Sequence, residues 1–133
     1  MPQLAPLVLT DRKATPVAHT FLPRTIEGPT ATLVESTGVP IGDSRVTISL
    51  GKPTAQGRHK PVLKLTIPVV QNQNVNGIIT PVVVRTAYAE VSFSFDGASS
   101  EAERNDVVGM TRDALDSAKT LVHDTVVKLQ GIY

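Results

Sequence analysis

The sequence has no cysteine and no tryptophan, and its aromatic residues are only Phe21, Phe93, Phe95, Tyr88 and Tyr133. Without cysteine there is no disulfide, no thiolate metal site and no cysteine nucleophile. With so few rings, a core must be assembled from Val, Ile, Leu and Ala. No stretch reaches the roughly 18 consecutive apolar residues that a membrane span needs, so no membrane partner is expected. The N-terminal MPQLAPLVLTDRKATP holds a short apolar run with no basic segment ahead of it, and is not read as a signal peptide. Acidic groups are nearly missing from residues 45–90. There Arg45, Lys52, Arg58, Lys60, Lys64 and Arg85 face Glu90 alone, a balance of +5. Residues 96–133 carry −3 and residues 1–44 carry −1, which leaves +1 overall. Charge therefore separates by segment, and two surfaces of opposite character are possible.

A chain of 133 residues suits one domain, residues 1–133, with a core small enough for a partner chain to be useful. Prolines at 2, 6, 16, 23, 29 and 40 break its first third into short β-prone runs: LVL at 7–9, VAHTFL at 17–22 and ATLVES at 31–36. These read as short strands, with a hairpin near the N-terminus. In RVTISL (45–50) and VLKLTI (62–67), apolar residues alternate with polar ones, as in strands with one dry face. GKPTAQGRHKP between them reads as a turn region. QNQNVNGIITP (71–81) reads as a polar loop, its Asn76-Gly77 pair suited to a tight turn. The next strand starts near Ile79 or Val82 and runs to Phe95. Val83, Ala87, Ala89, Val91, Phe93 and Phe95 make its apolar face, interrupted by Arg85. Thr86, Tyr88, Glu90, Ser92 and Ser94 make its polar face.

After DGA the period changes. Ser100 followed by Glu103 is a capping-box signature. Val107, Met110, Ala114 and Leu115 give one apolar stripe. Ala118, Leu121, Val122, Val126 and Leu129 give another. A break near Asp116–Ser117 makes two helices; one long bent helix is the alternative. The fold class is α+β: an N-terminal β-hairpin, a five-stranded antiparallel sheet and two C-terminal α-helices over its apolar face. Nothing supplies a second layer for the polar face, which is either wet or meets a ligand.

No catalytic constellation is present, so the chain does not read as an enzyme, and no cofactor is expected. His19, His59 and His123 are far apart, none with a partner at metal-ligand spacing, so no metal site is expected. Gly51-Lys52 is followed by proline and is not a nucleotide loop. An enzyme would need a concave pocket with perturbed titratable groups. The polar sheet face is the better candidate, as Arg45, Thr47, Ser49, Lys64, Thr66, Thr86, Tyr88 and Glu90 can share one side. Lysine and arginine pair with phosphates. Hydroxyls hydrogen-bond base edges or a 2′-hydroxyl, and a tyrosine stacks on an unpaired base. The bland alternative is a solvated face.

VESTGVPIGDSRVTISL (34–50), LKLTIPVVQNQNVNGIITPVVVRTAYAEVSFSF (63–95), ERN (103–105) and LVHDTVVKLQGIY (121–133) carry a resemblance. In these stretches, and over nearly its whole length, the chain resembles the coat proteins of the single-stranded RNA bacteriophages, the levivirus family. The resemblance implies a homodimer with a continuous ten-stranded sheet, in which each subunit's helices reach over the other. It implies assembly into a T=3 icosahedral shell of about 180 subunits, a closed symmetric homo-oligomer, with the sheet facing the genome. It also implies binding of viral single-stranded RNA at an operator stem-loop, which represses replicase translation and marks the genome for packaging. The implied location is the virion, assembled in the bacterial host cytoplasm, with the phage maturation protein as a further partner.

By the same resemblance, Thr47, Ser49 and Lys64 match an adenine pocket, Arg45 a basic residue on the same strand, and Tyr88 a stacking tyrosine. Glu90 stands where relatives carry Asn or Asp. Val62 replaces a pocket threonine, and Gly51 replaces an arginine of relatives. Lys52, Arg58 and Lys60 are further RNA-binding candidates beside Val62. Gln71, Asn72, Gln73, Asn74, Val75, Asn76 and Gly77 match a loop that makes contacts between subunits in the shell.

Overall fold

The computed structural model describes residues 2–133. Six strands follow one another: β1 (Leu7–Thr10), β2 (Ala18–Glu27), β3 (Thr30–Glu35), β4 (Ser44–Leu50), β5 (Pro61–Val75) and β6 (Ile78–Ser92). A 3-10 turn at Pro40–Gly42 precedes β4, and two helices, α1 (Glu101–Ala114) and α2 (Thr120–Val126), end the chain. The strands form one antiparallel sheet in sequence order. The expected hairpin is β1–β2, and β2 is also the first strand of the expected five-stranded sheet. The chain divides into two compact units, one ending at Ser94 and the other spanning Phe95–Tyr133.

In the first unit, alternation fixes which side is dry. Leu33, Val46, Leu65 and Ala89 lie opposite one another across β3, β4, β5 and β6. Residues paired in register share a face, so this row is apolar throughout. Phe21, Leu33 and Val46 are buried at its β2 end, with Leu4, Leu7 and Leu65 packed against them. Further along the same face Ile48, Leu50, Leu63 and Ile67 stay exposed in the single chain.

The expected 71–81 loop is corrected. Gln71–Val75 belong to β5, and Ile78 already begins β6. The turn consists of Asn76 and Gly77, at φ 52° and 82°, the left-handed pair of a two-residue hairpin turn. Asn74 Oδ1 accepts a hydrogen bond from the Gly77 N–H at 3.0 Å. Polar side chains suggested a loop, but ladder bonds use the backbone and do not need apolar residues. β4 pairs with β5 only as far as Thr66, so beyond it β5 and β6 continue as a two-stranded ribbon. Pro68 and Pro81 fall in this ribbon, where a strand has one neighbour to satisfy rather than two. The register slips between Val69 and Val70, with Arg85 and Val83 as their partners. The bulge leaves Val84 as the extra residue, directly beside the Arg85 that interrupts the apolar alternation.

The second unit holds two helices, not one bent helix. Ser100 Oγ accepts from the Glu103 N–H at 3.2 Å, the expected N-cap. The break falls at the expected residues: the Asp116 carboxylate accepts from the Ala118 N–H at 2.9 Å, and its carbonyl from the Lys119 N–H at 3.0 Å. α2 stops at Val126, short of the sequence pattern, and Leu129 has φ 58°. No residue of either helix is buried.

Candidate nucleic-acid interface

The register assembles the polar face as a grid. One row is Thr32, Thr47, Lys64 and Glu90 on β3, β4, β5 and β6. A second is Val34, Arg45, Thr66 and Tyr88, and a third is Thr30, Ser49, Val62 and Ser92. Four strands at sheet spacing and three rows two residues apart make a patch roughly 14 Å on a side. Sequence alternation alone put Arg45, Thr47, Ser49, Lys64, Tyr88 and Glu90 on a common side, and the register brings all six into adjacent rows.

Lys64 Nζ stands 3.9 Å from Glu90 Oε2, with both side chains more than half exposed. Such a pair contributes little and is readily exchanged. Tyr88 is 79% exposed, which leaves its ring open to a stacking partner. Among the described residues, Arg45, Thr47, Ser49, Thr66 and Ser92 form no side-chain hydrogen bond or ion pair, so their donors are uncommitted within the chain. Val62, half-buried, interrupts the hydroxyls of the third row, and Ser92 stands directly opposite it.

The further basic candidates lie around the β4–β5 connection. Arg58 is committed to the protein: Nε donates to Ser94 Oγ at 2.8 Å, and a terminal nitrogen donates to the Ser94 carbonyl at 3.0 Å. Its backbone closes a turn with Thr54, whose N–H donates to the Arg58 carbonyl at 2.9 Å. Arg58 thus positions the loop carrying Lys52 and Lys60, which are exposed. The ribbon residues Gln71–Gly77 lie at the far end of β5, away from the grid.

Thr30 and Thr32 extend the hydroxyl surface and were missed in the sequence. Their signal was present in TATL, where Thr30 and Thr32 alternate with Ala31 and Leu33. The following VES hid it, because Val34 falls on the polar side.

A sequence profile described as Levivirus coat protein matches residues 2–133. The capsid protein of Pseudomonas phage PRR1 is 60% identical over 131 residues, covering 98% of this chain and 99% of the relative. The capsid protein of Escherichia virus Qbeta is 34% identical over 104 residues, covering 77% of this chain and 75% of the relative. Among solved structures, the virus-like particle of bacteriophage ESE058 aligns with a TM-score of 0.88 at 24% identity, over 99% of this chain and 100% of the other. That likeness concerns the fold.

Proposed function

We propose, from the premise that this chain belongs to the levivirus coat protein family, that it dimerises, builds an icosahedral T=3 shell around viral RNA and binds an RNA stem-loop. Its structural role as a capsid protein follows from family membership; the dimer, the shell geometry and the RNA role are our reading. The observation that carries the RNA role is the grid itself: Arg45 and Lys64 for phosphate, Thr47 and Ser49 for base or sugar edges, and Tyr88 for an unpaired base. Affinity for phosphate comes from the cations and falls with salt, whereas the hydroxyls and the ring discriminate among loop bases. Glu90 accepts hydrogen bonds and repels phosphate, so it favours a base or sugar donor at its position.

The dimer reading rests on β6. Among the described residues it ends the sheet with one side unpaired along fifteen residues, an edge that proteins seldom leave open. Pairing two β6 edges joins β2–β6 of each subunit into a ten-stranded sheet, with β1 as an added strand at each outer end, and doubles the polar face. Residues 1–133 then act as one coat-protein domain completed by its partner. The basic balance of residues 45–90 favours a sheet turned toward RNA. The Gln71–Gly77 ribbon tip extends past the sheet and suits contacts between dimers. Binding of the stem-loop represses replicase translation and marks the genome for packaging. Assembly takes place in the bacterial host cytoplasm, and the phage maturation protein joins the same virion.

Protein expressed alone and sized by light scattering and electron microscopy, with the 260/280 nm absorbance ratio recorded, tests this. Uniform spherical particles containing RNA are expected. Dimers that bind RNA across salt and pH without forming particles would replace the shell with a dimeric RNA-binding regulator.

A further inference from the structure

The N-terminal hairpin carries a charge cluster that the capsid and RNA readings do not use. β2 pairs with β3 only from Leu22 onward. The arm before it consists of β1, the 11–17 turn and the start of β2. Apolar contacts of Leu4, Leu7 and Phe21 hold this arm to the sheet, and so does one histidine. His19 Nδ1 lies 3.0 Å from both carboxylate oxygens of Glu35, at the end of β3. His19 Nε2 lies 2.7 Å from Asp11 Oδ2, at the end of β1. Asp11 also closes the turn: its Oδ1 accepts from the Val17 N–H at 3.0 Å and the Lys13 N–H at 3.2 Å.

An ionised carboxylate only accepts hydrogen bonds, and a neutral imidazole has only one N–H. Both contacts are hydrogen bonds only when His19 carries two protons. We propose that His19 is a charge clamp that, as an imidazolium, fastens the N-terminal arm to β3, and that loss of one proton as the pH rises unfastens the arm from the sheet.

The charges around it fit this role. Two carboxylates face the ring, one from the 11–17 turn and one from β3. Lys13 Nζ stands 3.6 Å from Asp11 Oδ2, Arg12 lies in the same turn, and the buried Ser44 of β4 is paired with Glu35. The hydrogen bond to Asp11, followed by that to Glu35, raises the His19 pKa above its ordinary 6.5. The His19 hydrogen bond is also the main cause holding the Asp11 carboxyl well below its usual range. A folded pKa above the unfolded one makes the His19 contribution complete below pH 6.5 and loses it as pH rises through the raised value. Asp11 has the opposite sign: its contribution is present above 3.8 and is lost as pH falls through its depressed value. The clamp is therefore fully closed between pH 3.8 and 6.5 and loosens from 6.5 up to the raised histidine value.

Pulsed hydrogen exchange on the assembled protein across this range, corrected for the intrinsic rate, tests the clamp alongside an NMR titration of the His19 ring. Opening of peptides within residues 7–21 is expected to climb about tenfold per pH unit between 6.5 and the raised pKa, then level off. Peptides from β4 and β5 should stay protected throughout. His19→Gln should leave the arm open equally at every pH, and Glu35→Gln should bring the His19 titration back toward 6.5. Arm protection that does not change while His19 titrates would overturn the proposal, as would a wild-type pH response retained by His19→Gln. If His19→Gln also exposes β4 and β5, the wild-type titration decides alone, by whether the arm opens at the histidine's own pKa.

Discussion

Individual side chains on the polar face can be tested one at a time. Lys64 has only an exposed, long ion pair with Glu90, so removing it disturbs little within the protein. Lys64→Ala is expected to weaken stem-loop binding and lower the slope of log affinity against log salt by about one, with the fold intact. Filter binding at several salt concentrations measures both. Tyr88→Ala removes a largely exposed ring, so its cost is expected to fall on binding: about 1–3 kcal/mol of stacking, nearly independent of salt. Equal binding by both variants and wild type would remove these residues from the site. The common face of Arg45, Thr47, Ser49, Lys64, Tyr88 and Glu90 was legible because strand alternation alone sorts a half-buried sheet into faces. What alternation could not give was register. That Lys64 meets Glu90, or that Ser92 stands opposite Val62, depends on pairing between strands far apart in sequence. The His19 cluster was illegible for the same reason, since its three members, Asp11, His19 and Glu35, come from separate places in the chain.

Elements reveal where local signals were enough and where they were not. The Ser100 cap was readable because capping is local, and it makes a direct prediction. Ser100→Ala leaves the Glu103 N–H without its acceptor and should cost about 1 kcal/mol, seen as a lower thermal midpoint. The lengths of β5 and β6 were less legible, because Gln71–Asn74 give no apolar alternation and a ribbon does not require it. Gly42 also carried no sequence signal. A Cβ there would lie 2.8 Å from Val70 Cγ2 and 3.2 Å from Thr37 Oγ1. The 3-10 turn therefore packs directly on the base of the β5–β6 ribbon. Gly42→Ala forces that contact apart and is expected to destabilise by about 1–3 kcal/mol, the usual range for overpacking, as read by chemical denaturation. An unchanged midpoint would mean that the turn can lift from Val70 freely.

At the scale of the whole molecule, the single chain leaves much apolar surface uncovered. Its core is small, β6 has an open edge, and apolar residues are exposed on the dry sheet face and on both helices. Met110 is 66% exposed and Leu121 67%. The sequence patterned those helix positions as apolar stripes, and a stripe of that kind has a free-energy reason to be covered. A second copy is the covering partner under the dimer reading, which makes the stripe testable without touching the sheet. Leu121→Asp puts a carboxylate at a position exposed in the isolated chain, so the isolated helix tolerates it. In an assembled dimer the same carboxylate would be buried without a partner, which is far more costly than losing one leucine contact. The expected result is loss of particles and a shift toward small species in light scattering. The Ser100 cap should survive, and the hydrogen-exchange pattern of β4 and β5 should stay intact. Particles forming at the wild-type concentration threshold would show that the α2 stripe lies outside the subunit interface, and association would then rest on the sheet, through the β6 edge and the ribbon tip.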